Sequence, residues 1–85
     1  MKALQDYVAE KNRWNKIFGM TQPFDLNEPS DRKQIARMID SELSPENLTC
    51  DGELSRSEVQ RRYNRLTRVA EQLKRLDPTV EFYEY

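Results

Sequence analysis

Four arginines recur with helical spacing in the last third of this 85-residue chain. Arg61, Arg65, Arg68 and Arg75 stand at i, i+4, i+7 and i+14. At 100° per residue they share about 80° of one helix side, with Gln72 filling the gap. Arginine presents a planar fork that grips carboxylate or phosphate through two parallel hydrogen bonds. It also stacks on bases and aromatic rings. Such a row suits an acidic protein groove or a phosphate backbone. The plain alternative is a solvated face, or one paired internally with Glu46, Asp51 and Glu53. Arginine is a good helix former and needs no ligand to sit there.

Charge distribution sharpens the first reading. Net charge is only −1. Residues 55–76 nevertheless hold seven basic residues against two acidic ones, so the rest of the chain is acidic. Asymmetry of this kind steers a charged partner. The sequence pI of about 5.5 argues against nucleic acid as the first choice, since binding domains for it usually lie above ~9.

Other chemistries find little support. There is one cysteine, Cys50, and no histidine. No internal disulfide can form, and no zinc site of the usual ligand types fits. Cys50 lies beside Asp51 and Glu53, which disfavour a thiolate. Two glycines leave no phosphate loop, and no carboxylate pair stands out for acid–base work. The sequence therefore predicts a non-enzyme with no cofactor and no metal. Charges at Lys2, Asp6, Glu10 and Lys11 break any secretory apolar run. No stretch approaches the ~20 apolar residues of a membrane span. The expected setting is cytoplasmic, without a membrane.

Residues 47–58 read Asn-Leu-Thr-Cys-Asp-Gly-Glu-Leu-Ser-Arg-Ser-Glu. Gly52, Leu54 and Glu58 sit where an EF-hand loop has its turn glycine, its apolar residue and its bidentate glutamate. Asp51 and Ser55 also fall on ligand places. Asn47 and Thr49 stand where stronger ligands are expected, and Pro45 breaks the entering helix. A turn feeding a capped helix accounts for the same residues.

The elements that must position these groups are mostly helical. Ser55 and Glu58 form a capping box, flanked by Leu54 and Val59 as a hydrophobic staple. The helix over 56–76 then places Val59, Tyr63, Leu66, Val69, Ala70, Leu73 and Leu76 within about 140° of arc, as a core-facing stripe. A first helix over 2–18 carries Leu4, Tyr7, Trp14 and Phe18 on one face, with Gly19 as its stop. Tyr7, Trp14 and Phe18 are read as core, the alternative being a base-stacking or membrane-interface stripe. Residues 20–29 form an extended connector. A second helix over 30–43 carries Ile35, Met38, Ile39 and Leu43, and Pro45 ends it. Ser44 is placed to cap one further turn over Pro45, Glu46 and Asn47. The tail, 77–85, is rich in strand formers. It is expected to fold back over the bundle, with a pairing to residues 20–26 or docking on a partner as alternatives.

The run Leu43–Leu54, followed by Tyr63-Asn64-Arg65-Leu66, resembles small accessory proteins of tailed bacteriophages. That resemblance implies a short non-enzymatic protein that binds a host or phage macromolecule, and it transfers no site residue. The sequence thus predicts one all-α domain over residues 1–85, with three main helices and an extended tail. Its leading function is an adaptor or inhibitor that binds a protein partner through Arg61, Arg65, Arg68 and Arg75. The alternative is a nucleic-acid-binding accessory protein using the same row. A modest core also leaves room for self-association.

Overall fold

The longest helix organises the rest. In the computed structural model, which describes residues 1–19 and 22–85, the elements are α1 (Lys2–Ile17), α2 (Pro29–Leu43), α3 (Pro45–Leu48) and α4 (Arg56–Leu76). No strand occurs among the described residues. The fold is an all-α bundle. Both halves of the capping box are formed at α4. The Ser55 hydroxyl accepts from the Glu58 N–H, and the Glu58 carboxylate accepts from the Ser55 N–H at 3.3 Å. Loss of such a cap typically costs about 1 kcal/mol.

α4 packs against both α1 and α2. The Leu4 N–H, left open in the first turn of α1, donates to Gln72 Oε1 of α4 at 2.9 Å. Further along α1, Tyr7 and Glu10 lie beside Val69 and Arg65. α1 therefore runs opposite to α4. α2 does the same: its first turn meets the end of α4 where Arg32 Nε pairs with Asp77 Oδ2 at 2.8 Å. Its last turn reaches Arg62 through Glu42.

The core lies along this double seam. Leu4, Tyr7, Val8, Ile35, Ala36, Ile39, Leu43, Leu66, Val69, Ala70, Leu73 and Val80 are all buried. Burying one large apolar side chain contributes about 1.5–3 kcal/mol, so this seam outweighs any exposed ion pair at ~0–1 kcal/mol.

Several expected core residues stand outside it. Trp14 is 46 % exposed and Phe18 76 %. They share a face with Leu4 and Tyr7, but that face is open to solvent at its far end. The two rings stack on each other instead, 6.1 Å apart. Tyr63 and Leu76 of α4 are also exposed. They occupy the two margins of the predicted arc, which the neighbouring helices do not cover. The Cα radius of gyration is 13.0 Å. An 85-residue domain averages ~12 Å, so this one is slightly extended.

Connections are held by specific polar contacts. Gly19 closes α1 in the left-handed region, φ +81°. Asn12 holds the connector through both backbone groups of Phe24: its Oδ1 accepts from the Phe24 N–H at 2.7 Å, and its Nδ2 donates to the Phe24 carbonyl. The expected pairing of this segment with the tail does not occur at Phe24, and residues 20 and 21 lie outside the described residues. The Ser44 hydroxyl turns back to the Ser41 carbonyl and leaves α3 without a side-chain cap.

The tail folds back over the bundle. Val80 is buried and Phe82 packs against the core. Lys74 Nζ donates to the Val80 carbonyl at 3.0 Å. Asp40 Oδ1 of α2 accepts from the N–H groups of both Tyr83 and Glu84, at 2.8 and 2.7 Å.

Candidate functional site

α4 presents its arginine row to solvent because its opposite face is committed to the core. Arg61, Arg65, Arg68 and Arg75 are all exposed. None forms an ion pair among the described residues. Arg61 makes only a 3.4 Å contact from Nε to the Ser57 carbonyl of its own helix. The arginines that do pair, Arg32 and Arg62, are half-buried. The acidic loop, the alternative internal partner of the row, makes no ion pair with it among the described residues. Glu46, Asp51 and Glu53 line one surface pocket with Arg62, Glu42, Asn47 and Cys50.

The row is not uniform. Arg65 borders a small cavity of about 170 Å³ between α1 and α4, lined also by Ala3, Asp6, Tyr7, Glu10 and Val69. Asp6 and Glu10 therefore share that cavity with Arg65. Arg75 lies near Glu71 and the Tyr85 phenol. Loss of solvent around the Tyr85 hydroxyl, and then its hydrogen bond to Glu71, raise that phenol above its ordinary range. Arg61 lies near Glu58 and, after the Ser55 hydrogen bonds, helps to lower that carboxyl.

A second polar centre sits where the three long helices converge. The Tyr7 hydroxyl donates to Glu42 Oε2. Glu42 Oε1 takes Lys11 Nζ at 3.1 Å, and Arg62 Nη2 approaches it at 3.9 Å. Lys11 also lies over the Tyr7 ring, 5.1 Å from its centroid. Burial first, and then the bond to Glu42, push the Tyr7 phenol well above its usual range. Sequence reasoning missed this centre. Its members are far apart in the chain, and no local spacing announces them.

The loop resembling an EF-hand spends its polar groups on nearby backbone and on its own cap. Asn47 Nδ2 donates to the Ser41 carbonyl and the Thr49 hydroxyl to the Pro45 carbonyl, each at 2.8 Å. Glu58 is engaged by Ser55, whose hydrogen bonds hold its carboxyl below the usual range. Cys50, Asp51 and Gly52 turn the chain with three successive positive φ angles. No group of three or more Cys, Asp or Glu side chains is arranged to hold a metal ion among the described residues. Nor is any helix among them long and apolar enough to cross a membrane.

Comparison with protein families, with curated proteins and with solved structures returned no match for this chain. The physical character of the surface must carry the functional reading.

Proposed function

We propose that this protein is a non-enzymatic adaptor or inhibitor that binds an acidic protein partner through Arg61, Arg65, Arg68 and Arg75. The observation that carries the reading is the unspent charge of the row. Four guanidinium groups share one exposed face and make no ion pair among the described residues. Partner carboxylates would meet them as bidentate, charge-assisted pairs. Asp6 and Glu10 line a cavity with Arg65, and Glu58 lies near Arg61, so the contact draws on the whole row rather than on one residue.

The test is affinity capture with identification of bound proteins, comparing the native chain with Arg61→Glu/Arg68→Glu. The variant should lose an acidic partner while its melting temperature stays put, since neither side chain makes an ion pair among the described residues. Unchanged capture by a folded variant would remove the row as the binding surface. Phosphate binding by the same row is tested in parallel. Labelled single- and double-stranded DNA and RNA titrated at low salt should show no binding below ~100 μM. Tighter binding, lost in the same variant, would replace the protein partner with nucleic acid.

A further inference from the structure

The far end of α1 carries an exposed apolar cluster that the arginine row does not explain. Trp14, Ile17 and Phe18 are 46 %, 63 % and 76 % exposed. Residues 11–24 contain three cations, Lys11, Arg13 and Lys16, and no carboxylate. That is unusual in a chain with 15 acidic residues. Lys11 is held by Glu42, whereas Arg13 and Lys16 are exposed and make no ion pair among the described residues. The tip is thus apolar, aromatic and locally positive.

We infer that this tip docks on an anionic lipid surface, with Trp14, Ile17 and Phe18 entering the interface and Arg13 and Lys16 meeting the headgroups. Three features favour lipid. Tryptophan with basic residues at a helix margin is the composition that settles at the headgroup boundary. The cluster exposes roughly 300–400 Å², about half of the ~800 Å² per partner in a standard protein interface. That is small for a stable dimer, and a bilayer demands no matching shape. Base stacking fits less well, because Trp14 and Phe18 already stack on each other and Ile17 offers no ring. Surface contact of this kind needs no membrane-crossing helix.

Trp14 is the sole tryptophan, so its emission reports the tip directly. Vesicles of phosphatidylcholine mixed about 3:1 with phosphatidylglycerol should shift that emission to the blue and shield Trp14 from acrylamide, and pure phosphatidylcholine should do so far more weakly. Ile17→Ser/Phe18→Ser should abolish co-sedimentation with the anionic vesicles. Arg13→Glu/Lys16→Glu should weaken it at least ~10-fold. Both pairs lie outside the core, and circular dichroism checks that helix content is kept. Should a variant unfold, quenching of the native chain still decides the matter. Unchanged Trp14 emission at saturating anionic lipid would overturn the inference. So would a shift that follows protein concentration without lipid, which marks self-association, or one that requires an oligonucleotide.

Discussion

The Tyr7 hydroxyl of α1 donates to the Glu42 carboxylate of α2, and the same carboxylate faces Lys11 of α1 and Arg62 of α4. One side chain thereby joins all three long helices. Tyr7→Phe removes the donor and keeps the ring, and it should cost about 1–2 kcal/mol. Glu42→Gln should cost more, about 2–4 kcal/mol, because Lys11 and Arg62 then lose their anion. Denaturant midpoints at neutral pH check the order. A smaller loss in Glu42→Gln than in Tyr7→Phe would contradict the convergence.

The same contact sets an alkaline limit. The Tyr7 phenol is raised in the folded protein, by burial first and by Glu42 second. A folded value above the unfolded one means that the proton is held more tightly in the native state. The stability it contributes is complete below ~10, the unfolded tyrosine value, and is lost as pH rises beyond it. Thermal melts from pH 9 upward should therefore fall more steeply for the native chain than for Tyr7→Phe. Parallel slopes would show that other groups set the limit.

Helix α4 was legible because its signals are local. The Ser55–Glu58 box and an uninterrupted 3.6-residue pattern lie within one stretch of chain, and both are formed. The limits of burial were not legible. Periodicity says which residues share a face, and it is silent on how much of that face a neighbour covers. Trp14 and Phe18 continue the stripe of Leu4 and Tyr7 yet stay exposed. Glu42 gave no signal because its contacts join residues 20–35 positions away. The tail's wish to be covered could be read from Val80 and Phe82, but the Asp40 latch that holds Tyr83 and Glu84 could not. The arginine row was visible as spacing. That it makes no ion pair among the described residues needed the positions of Asp51 and Glu53.

Leu73 and Leu76 sit one turn apart on α4 with different surroundings. Leu73 is fully buried and Leu76 is 43 % exposed. Leu73→Ala should cost about 2–5 kcal/mol, through lost transfer energy and the cavity left behind. Leu76→Ala should stay below ~1 kcal/mol, since solvent already reaches that side chain. Urea unfolding of the two variants tests whether the core stops before the last turn of α4. Equal losses would extend the core to Leu76.

Asp77 closes the other end of the bundle. Its Oδ1 accepts from both the hydroxyl and the N–H of Thr79, and its Oδ2 accepts from Arg32 Nε at 2.8 Å. The Thr79 hydroxyl first, and then Arg32, lower its carboxyl to about 2. The unfolded value is ~3.9. A depressed native value contributes stability that is complete above the unfolded one and is lost as pH falls through about 2. Melting temperatures followed from pH 5 downward should drop for the native chain and drop less for Asp77→Asn, which has no proton to take up. Thr79→Val removes the largest cause, so the Asp77 carboxyl should titrate at higher pH in carbon-detected NMR. An unmoved Asp77 titration in that variant would leave Arg32 as the group that matters, and would place the acid sensitivity of this end in the α2–α4 ion pair.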